Sequence, residues 1–73
     1  MTEGRLSYNQ DEDRYGLLVG DLWHHPGLHC GECLEVMLYG EWTPTRMEMD
    51  SGLWYLVGTP LVSEYLEGVR ARL

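Results

Sequence analysis

The stretch Cys33-Leu34-Glu35-Val36-Met37-Leu38-Tyr39 decides the fold. Leu34, Val36 and Leu38 alternate with Glu35, Met37 and Tyr39, the two-residue period of a strand that lays one face on a core. Gly40-Glu41 reads as a hairpin turn, and Trp42 to Met49 returns as the next strand. Along it Thr43, Thr45, Met47 and Met49 point one way, and Trp42, Pro44, Arg46 and Glu48 the other. Pro44 has no N–H, so its nitrogen must face away from the neighbouring strand, as at an edge or a bulge.

Downstream, Asp50-Ser51-Gly52 is a turn signal. Leu53 to Val57, aromatic and β-branched, follows as a strand with Trp54 in the core. Gly58-Thr59-Pro60 closes it. Leu61, Val62, Tyr65 and Leu66 fall at helical spacing, which predicts one turn of 3₁₀ or α-helix, since eight residues sustain no helix alone. Val69 to Leu73 alternates again, with Val69, Ala71 and Leu73 inward. Upstream, Tyr15 to Val19 is the first strand, bounded by Gly20-Asp21, with Leu17 and Val19 on the face of Tyr15. Gly20 to Glu32 is a long connection, broken by Pro26, Gly27 and Gly31 and pinned to the domain by Leu22, Trp23 and Leu28.

Residues 1–13 show no sustained period and carry Glu3, Asp11, Glu12 and Asp13; they read as a flexible acidic arm. Residues 14–73 then form a single domain. Five short strands with tight central hairpins predict an all-β fold, a small five-stranded barrel with a short helical or 3₁₀ turn before the last strand. Closure would protect the edges that a flat sheet exposes.

Composition bounds the rest. The chain has 73 residues, of which 44% are hydrophobic. That is one domain, with a core worth ~3–5 kcal/mol net. Phe and Lys are absent, and three Trp and five Tyr supply the aromatic mass. The formal charge of −7 would repel a phosphate backbone, so direct nucleic-acid binding is not expected. No run approaches the ~20 apolar residues of a membrane helix, and the first residues do not read as a signal peptide. The expected compartment is the cytoplasm, where Cys30 and Cys33 are reduced unless they bind metal.

Three stretches, Cys30–Glu48 (CGECLEVMLYGEWTPTRME), Gly52–Gly58 (GLWYLVG) and Leu66–Leu73 (LEGVRARL), resemble a family of short proteins of Firmicutes and their mobile elements, defined as a domain of unknown function. That resemblance implies no catalytic residue. The strand order is also similar to an SH3-type barrel: a long first loop, the strand Gly31-Glu32-Cys33-Leu34-Glu35-Val36, and a 3₁₀ turn within Leu66-Glu67-Gly68. SH3-type peptide binders hold proline-rich, basic peptides with an acidic loop and exposed aromatics. This chain lacks their adjacent tryptophans after the second strand and their Pro-Ser-Asn-Tyr element.

Two constellations carry chemistry. His24, His25, His29, Cys30 and Cys33 crowd one loop. Cys30-Gly31-Glu32-Cys33 has the spacing that offers two thiolates to zinc, and His24 or His25 together with His29 would complete a four-ligand site, the first set being His24, His29, Cys30 and Cys33. Such a metal would add stability to a small core. The alternative is that Cys33 is a small inward residue of its strand. Redox catalysis is not expected, because the neighbours Glu32 and Glu35 are anions rather than cations and no helix follows Cys33. No catalytic serine motif or carboxylate pair stands out, so the chain reads as a binding module and not an enzyme. The second constellation is Tyr39, Trp42, Pro44, Arg46 and Tyr55, the residue types of interface hot spots. They predict a protein-binding surface, for a partner or for self-association.

Overall fold

A computed structural model describes the whole chain, Met1–Leu73. It contains seven strands: β1 (Glu3–Asn9), β2 (Arg14–Val19), β3 (Leu22–His25), β4 (Cys33–Leu38), β5 (Glu41–Asp50), β6 (Leu53–Leu56) and β7 (Arg70–Arg72). A 3₁₀ turn, Ser63–Leu66, lies between β6 and β7. The strands form one antiparallel sheet in the order β3-β2-β1-β7-β4-β5-β6. The all-β class and the single 3₁₀ turn match the expectation from sequence. The barrel does not: there are seven strands, not five, and the sheet ends in β3 and β6 without closing.

The two additional strands lie where the sequence suggested none. The N-terminal segment is not an arm. Glu3–Asn9 is β1, held between β2 and β7 with Leu6 opposite Leu17 and Gly4 opposite Ala71. Leu6 is fully buried, its N–H donates to the Val69 carbonyl (2.8 Å), and its carbonyl accepts from Gly68 N–H (2.7 Å). The acidic residues Asp11, Glu12 and Asp13 form the β1–β2 turn instead of a leader. Gly4 has a steric reason to be glycine: a Cβ there would sit 2.1 Å from the Leu18 carbonyl oxygen.

The second missed strand is β3, inside the predicted long connection. Of the three residues expected to pin that connection, Leu28 alone is buried, its N–H donating to the Tyr15 carbonyl (2.8 Å); Leu22 and Trp23 are exposed on the edge strand. The β2–β3 register shifts between Leu17 and Leu18, and Val19 is exposed rather than sharing the core face of Leu17. Such a shift is the mark of a bulge, which bends a strand and re-aims its side chains.

The central hairpins follow the predicted pattern, with one displaced turn. Leu38 pairs with Glu41, so the two turn residues are Tyr39 and Gly40, with φ of 52° and 81°. Ser51 and Gly52 repeat this between Asp50 and Leu53, with φ of 54° and 78°. Two-residue turns with both φ values positive match the twist of the flanking strands.

β5 is the strand that turns the sheet. Its first part, Glu41 to Arg46, pairs with β4, and its second, Met47 to Asp50, pairs with β6. Met47 donates to the Glu32 carbonyl (3.0 Å) and accepts from Gly31 N–H (2.8 Å), whereas the Arg46 carbonyl accepts from Val57 N–H (3.1 Å) on the other side. Pro44 lies two residues before Arg46, so its nitrogen faces the same side, where β6 no longer runs. The missing N–H therefore costs no ladder bond.

The core is the concave face: Leu6, Tyr15, Leu17, Leu28, Leu34, Val36, Met47, Trp54, Leu56, Leu66 and Ala71. Val69 and Leu73 pack against it, as the alternation of the last segment implies. The 3₁₀ turn contributes Leu66, and the Leu61–Val62 segment before it covers part of the β6 edge through a Tyr55–Val62 bridge. No helix of the structure is long and apolar enough to cross a membrane.

Candidate binding surfaces

In the histidine–cysteine loop the organising group is the Glu32 carboxylate. It accepts the His29 backbone N–H at 2.6 Å and meets His25 Nε2 at 3.1 Å. The Gly27 N–H donates to His25 Nδ1 at 3.2 Å, so Nδ1 is the bare nitrogen and Nε2 carries the proton toward Glu32. His25 is thus occupied in closing the loop. His24 and His29 are exposed, and Cys30 and Cys33 are exposed free thiols. Gly31, with φ of 87°, makes a tight turn between the cysteines. Nowhere do three or more His, Cys, Asp or Glu side chains gather into a group able to hold a metal, so the structure does not bring His24, His29, Cys30 and Cys33 together as zinc ligands. Cys33 is not an inward residue either: the core face of β4 begins at Leu34, and parity sends Cys33 outward.

This loop has a pH signature. Burial raises the Glu32 carboxyl pKa, but the His29 amide, the His25 ring and the charge of both imidazoles outweigh it and hold the carboxyl below its ordinary value. A carboxyl depressed in the folded state contributes stability above its unfolded pKa and loses it as pH falls through the folded one. Glu32→Gln is therefore expected to flatten the acid side of the stability curve below about pH 5. Urea midpoints measured from pH 3 to pH 7 check this, and a variant curve parallel to wild type would remove the role assigned to Glu32.

The aromatic constellation divides. Trp42, Pro44 and Arg46 lie on the outer face of β5, and Tyr55 joins that face through its pairing with Glu48. Tyr39 sits at the hairpin tip, 92% exposed and off the strand face. Trp42 is already in use. The Arg72 guanidinium lies 4.2 Å from its ring centroid and that of Arg70 5.4 Å away. Glu35 holds Arg72 and Glu3 holds Arg70, each at 2.6 Å. Cation–π contact of this kind makes Trp42 a platform for β7 rather than a free anchor. The alternation Arg70-Ala71-Arg72 is the signal that both guanidinium groups share a face; the contribution of Glu3 required knowing that β1 exists.

Tyr55 leads to a second surface. It lines a groove of about 330 Å³ beside β6, together with Asp50, Ser51, Leu53, Thr59, Pro60, Leu61 and Val62. The groove exists because Gly58, with φ of 76°, turns the chain back so that residues 59–62 run alongside β6. The Thr59 hydroxyl donates to the Leu56 carbonyl (2.9 Å) and accepts from Leu61 N–H (3.1 Å), so it holds that turn and has no proton to offer a ligand. Leu53 is 48% exposed at the open end.

A family model described as a domain of unknown function (DUF5348) matches residues 4–73. The chain belongs to this family. The match takes in β1, so the DUF5348 unit contains the N-terminal strand as well as the segments that carry the resemblance in the sequence. A crystal structure of a protein from Ruminococcus gnavus is similar to this DUF5348 chain, with a TM-score of 0.82 and 38% identity, over 99% of this chain and all of that one. No functionally curated protein matches the sequence.

Proposed function

We propose that this DUF5348 domain is a non-catalytic protein-interaction module that docks an extended apolar segment of a partner in the groove beside β6, with Tyr55 and Leu53 as anchors. The observation that carries this reading is the groove itself. Leu53, Tyr55, Pro60, Leu61 and Val62 present apolar surface around a hollow of about 330 Å³. That volume is at the small end of ligand sites, enough for a few side chains of a peptide. Tyr and Leu grouped in a concave site are apt to exclude water from a partner's side chain, which is how a few residues come to dominate an interface. The groove's threonine hydroxyl is tied to backbone, which supports binding rather than chemistry.

Leu53→Asp places a charge in the groove at an exposed position and leaves the core untouched. A displayed library of random peptides, panned on the wild-type domain, is expected to yield ligands that lose at least about tenfold in affinity for Leu53→Asp, while the variant keeps the wild-type melting transition. Ligands indifferent to Leu53→Asp, or a library that yields none above background, would refute the groove as the docking site.

A further inference from the structure

The convex face of the sheet carries a charge balance unlike the rest of the molecule. Four of the five arginines, Arg5, Arg46, Arg70 and Arg72, project from it, as the alternation with buried Leu6, Met47 and Ala71 requires. Glu3, Glu35 and Glu48 project with them and pair with Arg70, Arg72 and Arg46. At the margin Glu67 bonds Ser7 Oγ at 2.7 Å. Asp50, at the end of β5, shares the outward parity of Glu48. Four arginines against these five acids leave this face at −1, and the other seven acids, against Arg14 alone, place −6 of the formal charge of −7 elsewhere.

The same face has a knob and a hollow. Trp23 stands opposite Leu18 at the β3 edge and is 37% exposed. Beside Leu18 is a hollow of about 550 Å³, lined by Glu3, Gly4, Arg5, Leu18, Val19, Gly20 and Arg70. Gly20 contributes no side chain to the hollow, and a Cβ there would meet nothing within 4 Å.

From this we infer that the convex face docks a second copy of this chain in a two-fold dimer, with Trp23 of each copy entering the hollow beside Leu18 of the other. Two bodies of charge −7 repel, and this nearly balanced face is where they meet with the least opposition of like charges. A two-fold contact demands that one patch be complementary to itself, and a knob adjacent to a hollow satisfies that. The area fits a weak dimer. From β3 to β5 six strands at about 4.8 Å spacing span roughly 24 Å, within extents of 28 × 27 Å. Such a face is smaller than the ~800 Å² per partner of a standard interface, so association in the micromolar range is expected.

Sedimentation velocity of the full chain, from about 5 μM to 1 mM, tests this. Wild type is expected to move from monomer to dimer across that range. The dimer tightens as NaCl is raised from about 20 mM to 300 mM, because salt screens the repulsion between the acidic bodies. Trp23→Glu is expected to stay monomeric throughout with an unchanged far-UV spectrum. Should Trp23→Glu disturb the fold, Val19→Glu at the exposed wall of the hollow serves as the second variant, with the same expectation. Three results would each overturn the inference: a wild type monomeric at 1 mM, a dimer that survives a folded Trp23→Glu or Val19→Glu, or a dimer that weakens with salt.

Discussion

A chain lacking residues 1–9 is expected not to fold. β1 is an interior strand, with β2 on one side and β7 on the other. Its removal separates the β2–β3 hairpin from the β7-β4-β5-β6 portion, and a lone two-stranded hairpin is marginal in water. β7 has three residues, and it would lose its pairing with Glu3, Gly4 and Arg5. Leu6 would leave the centre of the core, where it is wholly buried. The loss of Leu6 alone is worth about 2–5 kcal/mol, which matches the ~3–5 kcal/mol that a core of this size supplies. The truncated chain should show a far-UV spectrum without strand content and no cooperative melt. A synthetic peptide of residues 1–9 should restore part of the transition, because the missing piece is a complete strand with its bonds. A truncated chain that melts like the full one would mean that β1 is dispensable and the sheet begins at β2.

The reason β1 was hard to read is physical. A strand announces itself when its inward positions are large and apolar, and here they are Gly4, Leu6 and Tyr8. Gly4 is small because the Leu18 backbone comes too close for a Cβ. Tyr8 stands at the rim, its ring edge-on to Tyr15 at 5.4 Å and its hydroxyl donating to Asp13. One apolar residue, Leu6, is left to carry the signal. β3 failed for the opposite reason: Leu22 and Trp23 are apolar but face solvent at a sheet edge, so no alternation with polar residues marks a buried face. β4, β5 and β6 were legible because Leu34, Val36, Met47, Trp54 and Leu56 all point into the core from strands joined by short glycine turns. The candidate site was legible only in part. Parity placed Trp42, Pro44, Arg46 and Tyr55 on one face. That Trp42 is covered by Arg70 and Arg72, and that residues 59–62 fold back to make a groove at Tyr55, depends on contacts across the sheet that no local pattern encodes.

Gly16→Ala is expected to destabilise the domain by about 3 kcal/mol, which removes most of the ~3–5 kcal/mol that a core of this size supplies. A Cβ at Gly16 would lie 2.3 Å from the His25 carbonyl oxygen and 2.8 Å from both the carbonyl carbon and oxygen of Pro26. All three are backbone atoms, so no side-chain rotation relieves the clash. The segment that would have to move is fixed from several directions. His25 pairs with Leu17, the Asn9 side-chain amide donates to the Pro26 carbonyl (3.0 Å), and Leu28 N–H donates to the Tyr15 carbonyl (2.8 Å). His25 is held in turn by Glu32 and by Gly27 N–H. Displacing the segment would break the buried Asn9 bond and draw Leu28 out of the core, so the overlap cannot be absorbed cheaply. Gly58→Ala is the control. Gly58 needs its positive φ of 76° but has open space around its Cα, so its cost is the left-handed conformation alone, about 1 kcal/mol. Urea unfolding of both variants separates the two mechanisms. Equal losses at Gly16 and Gly58 would show that the crossing of residues 25–26 over β2 yields easily, and that backbone conformation, not close packing, sets the need for glycine here.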